Sequence, residues 1–331
     1  MKIRVGILGC ANIARRSLAP AFAAHEAFDW VAIASRDAAK AEAFVADVRA
    51  KGAVVEKVRC CSYDDLVGAN DIDLIYCPLP TGLHYDWVLK CLECGKHVLC
   101  EKSLACTFVE VQKLVETAKI HGCFLMESFQ FRTHQQNLFV RELLERKTLG
   151  DVRQIVVRFG FPPFPDGKRN IRYQKDLGGG ALFDAGAYTL KAATFLAGND
   201  LIVRDATSWT GSDQMVDLGG TITLVGYDEK MVVHAAYGFD NQYQCGYDIW
   251  CSRGLIKTTR AFTAPPGFPA EVVVQNAEGI QSKTFPFDHF HSLLSHVAKS
   301  IEEHDYDCEY DECLVQARLM SEVRLITGKR S

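Results

Sequence analysis

Three stretches of the chain hold residue types whose spacing could do chemistry. Near the N-terminus, Gly6-Ile7-Leu8-Gly9-Cys10-Ala11-Asn12-Ile13 lies between an apolar run and a helical pattern. Glycine at Gly6 or Gly9 would let the backbone approach a pyrophosphate, Ala11 is small, and Cys10, Asn12 and Ile13 lead into a helix N-terminus that favours an anion. The spacing is looser than G-x-G-x-x-G and also suits a plain strand-to-helix turn, but its place opening a βαβ unit favours a dinucleotide. Further on, Glu101-Lys102-Ser103 follows another apolar run. An ammonium there could meet a substrate carbonyl, although a lysine after a strand is commonly plain surface charge. The third stretch, Leu177-Gly178-Gly179-Gly180-Ala181-Leu182-Phe183-Asp184-Ala185-Gly186-Ala187-Tyr188, sets three glycines ahead of a helical pattern. Asp184 and Tyr188 stand four apart, so a carboxylate and a phenol project from one helical face.

The elements that must position these residues read from periodicity. Over the first 127 residues, strands are predicted at Ile3–Leu8, Trp30–Ser35, Val54–Cys60, Asp73–Cys77, His97–Cys100 and Cys123–Glu127. Helices are predicted at Ile13–Ala24, Ala38–Lys51, Tyr63–Ala69, Tyr85–Glu93 and Phe108–His121, with Ser62 and Thr107 as N-caps and Gly52, Gly95 and Gly122 just past helix ends. That alternation builds a doubly wound parallel sheet. Past Glu127 the pattern changes to a helix at Gln135–Arg146 and a series of longer runs between turn signals, from Val152–Phe161 to Ser282–Phe285. One helix, Ala181–Ala197, interrupts the runs, and two more, His289–Glu303 and Asp311–Thr327, close the chain. The fold class is α/β: a Rossmann domain over 1–127, then an α+β substrate-binding and oligomerisation domain over 128–331 with a large, mainly antiparallel sheet.

Ligands of open α/β sheets collect beyond the carboxyl ends of the strands. An NAD site places an acidic residue after the second strand, whereas this chain has Ser35-Arg36 with Lys40 one turn later, a set that suits the 2′-phosphate of NADP(H). Asp37 beside Arg36 equally suits an ordinary helix N-cap. After the fourth strand, Pro78, Leu79 and Pro80 make a stiff wall for a flat ring, with His84 near enough to contact the cofactor, and Glu101 stands beside Lys102 after the fifth.

With 37 Lys+Arg against 41 Asp+Glu the net charge is −4, which leaves no basic field for a nucleic-acid backbone. The 13 cysteines are odd in number, and the N-terminus lacks the apolar stretch of a signal peptide, so free thiols in a reducing cytoplasm are expected. No run has the ~18 apolar residues of a membrane helix. Cys91 and Cys94 have zinc-like spacing but lie on a predicted helix, and packing as small hydrophobes is the better account.

The Gly6 to Ile13 loop, Glu101-Lys102 and the triple-glycine run ending at Tyr188 together resemble the Gfo/Idh/MocA oxidoreductase family, over essentially the whole chain. Within it, Met126 to Arg132 and Arg172 to Gly178 look most like NADP-dependent nucleotide-sugar 3-ketoreductases. The resemblance implies hydride transfer from NADPH to the ketone of a nucleotide-linked 3-keto (deoxy)sugar. Lys102 and Tyr188 would flank the keto group as oxyanion stabiliser and proton donor, and Asp184 would orient Lys102 or a sugar hydroxyl. It implies a homodimer or homotetramer as well. Ser103 departs from the pattern, standing where relatives carry the proline that follows the lysine. Leu125-Met126-Glu127 and Tyr188 also occur in dihydrodiol dehydrogenases, so oxidation of a free sugar, cyclitol or dihydrodiol stays open, as does an NADP-sensing regulator without catalysis.

Overall fold

The computed structural model describes residues 2–328 apart from Glu56, 212–214, 227–229, Pro266 and 287–288. It divides into two compact units, Met1–Ser128 with Phe290–Leu314, and Phe129–His289 with Val315–Ser331.

The first unit holds a six-stranded sheet in the order β3-β2-β1-β4-β5-β6, built from β1 (Ile3–Leu8), β2 (Phe28–Ala34), β3 (Arg59–Cys61), β4 (Leu74–Cys77), β5 (His97–Glu101) and β6 (Leu125–Ser128). Every neighbouring pair is parallel. All of β4 and β6 and the last four residues of β1 are buried, as both faces of such a sheet must be under helices. Those helices are α1 (Ala19–Ala24), α2 (Ala38–Ala50), α3 (Tyr63–Gly68), α4 (His84–Glu93) and α5 (Phe108–His121). Their ends follow local chemistry. Ser62 accepts from Asp65 N–H to cap α3, Thr107 and Glu110 form a reciprocal box at α5, and Gly122 ends α5 at φ +61°.

Two elements differ from the sequence pattern. Of the strand expected at Val54–Cys60, with Glu56 outside the described residues, only the segment from Arg59 pairs with β2, and Val54 is 83% exposed, so its apolar run is not a core run. The helix expected at Ile13–Ala24 opens with a wide π-type turn, Ala14–Leu18, ahead of Pro20, which has no N–H to continue the ladder behind it. Residues 290–314, expected in the second domain, belong to the first unit. Ser295 Oγ lies 3.0 Å from His25 Nε2, Tyr310 donates to the Cys123 carbonyl at 2.5 Å, and the Tyr306 ring meets His97 and Phe124 edge-on. Ser295 lies on α8 (His289–Glu303) and Tyr310 on α9 (Asp307–Gly328), with Tyr306 in the turn between them.

The second unit opens with α6 (Gln135–Glu145) and is built on an eight-stranded sheet in the order β14-β13-β12-β11-β7-β10-β9-β8. The strands are β7 (Val152–Gly160), β8 (Leu201–Thr210), β9 (Asp217–Gly226), β10 (Val232–Gly238), β11 (Gln244–Cys251), β12 (Gly254–Thr258), β13 (Ala270–Asn276) and β14 (Gly279–Phe285). Only β7 and β10 run parallel; the other pairs are antiparallel. Along β7, Ile155, Val157 and Phe159 are buried while Gln154, Val156 and Arg158 face outward, so one side of the sheet is core and the other is open. The core side packs on α7 (Ala187–Ala197), which is buried along most of its length.

Candidate active site

In the first unit, the turn after β1 is set by Gly9, whose φ of +112° is a conformation that other residues rarely adopt. A Cβ there would come within 2.8 Å of Leu79 Cδ2, so the backbone is bare on the side where the loop from β4 passes. Gly6 does not share this role. It lies inside β1, where a Cβ would press Leu66 and Ile72 side chains at 3.0 Å. The fingerprint therefore starts at Gly9 and runs Gly9-x-Ala11-x-x-Ala14, with Ala14 fully buried where close helix-to-strand packing needs a small residue. Asn12 and Ile13 are exposed on this turn, and the Asn12 side chain accepts from Arg15 at 2.7 Å.

Past β2, Ser35 is half-buried and Arg36 and Lys40 are exposed. Asp37 also serves as the α2 N-cap, accepting from the N–H groups of Ala39 and Lys40. Cys10 reaches this corner: burial pushes its thiol up, while a hydrogen bond with Ser35 and the nearby Lys40 pull it down. Tyr63, absent from the sequence reading, belongs here too. Burial raises its phenol, Arg36 opposes that, and its ring stands edge-on to Trp87 at 5.0 Å. Nothing in the sequence singles out Tyr63 as part of this corner, since its neighbours Cys10, Arg36, Cys77 and Trp87 come from other elements.

The loops after β4 and β5 are tied together by His84, which is fully buried. Its Nδ1 lies 2.8 Å from the Ser103 carbonyl and its Nε2 2.6 Å from the Leu79 carbonyl. Burial lowers its basicity against the pull of those oxygens. The expectation that His84 contacts the cofactor is thus corrected, because both ring nitrogens face backbone oxygens and none of the ring is exposed. The Lys102–Ser103 peptide is cis, and Leu104 N–H is held by Glu127 at 2.9 Å. Lys102 and Glu101 are half-buried at this turn, with Glu101 accepting from Tyr76 Oη at 2.8 Å, while Pro78 is buried and Pro80 half-buried. The one compact Cys/His/carboxylate group among the described residues is Cys77, His84 and Cys100, whose histidine nitrogens face carbonyls. Cys91 is buried and Cys94 exposed on α4 and the turn after it.

In the second unit, Tyr188 is 6% exposed and set among Phe129, Phe131, Phe159 and Phe262, with ring centroids 5.1–6.1 Å away. The Gln130 amide nitrogen donates to its hydroxyl at 3.4 Å. Ahead of it the chain makes another π-type turn, Leu182–Gly186, so Asp184 and Tyr188 are not one regular α-helical turn apart. Asp184 is ion-paired with Arg172, which stacks 4.7 Å above Phe164. The Asp184 carboxylate holds the Arg172 guanidinium firmly charged, with a smaller contribution from Tyr188. Arg172 is thus a group that Asp184 orients, one that the sequence reading did not assign to it. The glycine run is needed at Gly180, whose φ is +119° and whose missing Cβ would strike the Asp217 carboxylate. Asp217 in turn accepts from Leu182 N–H at 2.7 Å and fixes the start of the turn, and burial pushes its carboxyl up to about 6.

The chain is similar to known proteins. Residues 3–129 match the oxidoreductase family Gfo/Idh/MocA with its NAD-binding Rossmann fold, and residues 138–257 match that family's C-terminal domain. A dTDP-3,4-didehydro-2,6-dideoxy-alpha-D-glucose 3-reductase from Saccharopolyspora spinosa is 37% identical over 86% of this chain and 82% of its own. One of the same description from Actinomadura kijaniata is 34% identical over 99% of this chain and 96% of its own. A crystal structure of a 3-ketoreductase from Actinomadura kijaniata with NADP and TDP-benzene superposes with a TM-score of 0.91 at 31% identity, covering 99% of this chain and 98% of that one. Further structures of that reductase carry a tyrosine-to-phenylalanine or a lysine-to-alanine change. No helix among the described residues is long and apolar enough to cross a membrane.

Proposed function

The chain belongs to the Gfo/Idh/MocA oxidoreductase family, and from that premise we propose that it reduces the ketone of a nucleotide-linked 3-keto deoxysugar with NADPH. The observation that carries this reading is the superposition, over 99% of the chain, on a 3-ketoreductase holding NADP and a TDP ligand. The residues fit the cofactor: the bare backbone at Gly9, Ala11 at the fingerprint's second small position and the Ser35, Arg36, Lys40 corner would hold its phosphates. NADPH when bound supplies the hydride.

The chain's own residues do the rest. Tyr188 donates a proton to the growing alkoxide, and its hydroxyl is kept in place by Gln130 and a wall of aromatic rings. The Lys102 ammonium stabilises negative charge on that oxygen, at the cis turn that His84 braces. The Arg172–Asp184 pair holds a cation beside Tyr188. An outer row of the eight-stranded sheet, Gln154, Trp250, Leu255, Gln275 and Ile280 in cross-strand register, carries Trp250 at 59% and Ile280 at 68% exposure and offers the face of a homo-oligomer. All 13 cysteines are free thiols, which fits a reducing cytoplasm.

The test is NADPH oxidation against a panel of dTDP-linked 3-keto and 4-keto sugars beside free sugars. Turnover of a dTDP-linked 3-keto sugar is expected, and activity confined to free sugars overturns the reading.

A further inference from the structure

The strand directions gather a set of loops at one end of the eight-stranded sheet. β7 and β10 are parallel and end there at Gly160 and Gly238. β11 runs against β7 and begins there, with Gln244 opposite Gly160, β12 ends there at Thr258, and β13 begins there at Ala270. The segments beyond this end carry Phe161 stacked on Phe239 at 5.3 Å, then Tyr243, and then Arg260, Phe262, Thr263 and Phe268. Tyr188 reaches the same end, since its ring meets Phe159 and Phe262 and the Gln130 amide lies 3.4 Å from both its hydroxyl and the Phe262 carbonyl.

Arg260 stands out within this group. Its φ is +53°, in the left-handed region that residues with a Cβ rarely adopt. That backbone turns the guanidinium over the Tyr243 ring, 4.2 Å from its centroid, with Phe268 at 5.4 Å. The Tyr243 hydroxyl is itself placed by Thr263 Oγ1 at 3.2 Å. Arg172, by contrast, has its charge met by Asp184. Among the described residues no carboxylate pairs with Arg260, so a half-buried planar cation is held flat against aromatic faces with its N–H edge free of an internal acceptor. Stacking removes rotamer freedom in advance, and a guanidinium fork matches two phosphate oxygens at once.

We propose that Arg260 binds the diphosphate of the substrate, making this guanidinium the group that reads the nucleotide half of a nucleotide-linked sugar. This rests on the nucleotide-sugar reading above and assigns its phosphate contact. Phe262 stands two positions after Arg260, a reach of roughly 7 Å along the chain, which suits a diphosphate attached to a sugar whose ketone lies at Tyr188.

The test is calorimetric titration of TDP and of thymidine into the NADPH-loaded wild type, Arg260→Ala and Arg260→Lys. The wild type binds TDP, Arg260→Ala weakens TDP by about 10–100-fold while thymidine and NADPH bind all three alike, and Arg260→Lys falls between because it keeps charge without the fork. Equal TDP affinity in wild type and Arg260→Ala overturns the assignment and leaves the nucleotide reading intact. So does a loss shared equally by thymidine, which would put Arg260 on the base. A wild type that fails to bind TDP removes the nucleotide reading and this inference with it.

Discussion

Replacing Asp217 by Asn should make the protein more stable at neutral pH, not less. The Asp217 carboxyl caps the turn before α7, accepting from Leu182 N–H at 2.7 Å, yet burial lifts its pKa from 3.8 to about 6. The folded state therefore holds this proton more tightly than the unfolded chain does. The stability linked to it is full below pH ~4 and is lost as pH rises through about 6, the reverse of a salt-bridged carboxylate. One pH unit is worth about 1.4 kcal/mol, so the ionised group costs the fold roughly 2–3 kcal/mol at pH 8. Asparagine copies the neutral acid and keeps an oxygen for Leu182 N–H. Thermal unfolding of both proteins from pH 4.5 to 8 should show Asp217→Asn melting about 5 °C above wild type at pH 8, with the gap closing toward pH 4.5. A variant less stable than wild type at pH 8, or a gap independent of pH, would refute the argument.

Tyr188→Phe should lower turnover of the keto sugar by about 10²–10⁴ with NADPH affinity unchanged, and wild-type turnover would remove the phenol from the reaction. Arg36→Ala should weaken NADPH by about 10-fold and NADH little, measured by fluorescence titration; equal losses would defeat the 2′-phosphate assignment. Gly180→Ala places a Cβ against the Asp217 carboxylate at φ +119°, and should cost at least about 2 kcal/mol in denaturant unfolding, where an unchanged midpoint would contradict the crowding.

How much of this was legible in the sequence depends on the range of each interaction. The Thr107–Glu110 box, the Ser62 cap and the glycine ending α5 involve residues three or four apart, and their letters alone predict them. Lys102 and Tyr188 are singled out by the sequence because their motifs fix them relative to a strand end and a helix start. The extent of β1 was legible, since the strand predicted at Ile3–Leu8 already puts Gly6 inside it and Gly9 beyond, but the φ of +112° at Gly9 and the close approach of Leu79 were not. Longer-range partners were out of reach as well. Arg172 meets Asp184 across a chain of short turns, Asp217 comes from a strand 35 residues after Leu182, and His84 finds two backbone oxygens that any residue could supply. The π-type turn at Leu182–Gly186 also breaks the four-residue spacing on which the shared face of Asp184 and Tyr188 was argued.

A chain of net charge −4 that is proposed to take two polyanionic ligands poses an electrostatic question, and the placement of its cations bears on it. At physiological ionic strength fields decay over about 8 Å, so the sum over the surface matters little to a bound phosphate and the nearest two or three charges decide. In the first unit Arg36 and Lys40 stand exposed past β2 while Asp37, the acid between them, is drawn into capping α2. In the second unit Arg172 has its charge met by Asp184, beside the phenol, while Arg260 is steadied by rings that carry no net charge. Aromatic support fixes a guanidinium without neutralising it, whereas a carboxylate fixes it by cancelling most of what it could offer an anion. The two arginines at one end of the sheet are thereby suited to different tasks, Arg172 to holding local geometry around Tyr188 and Arg260 to attracting phosphate.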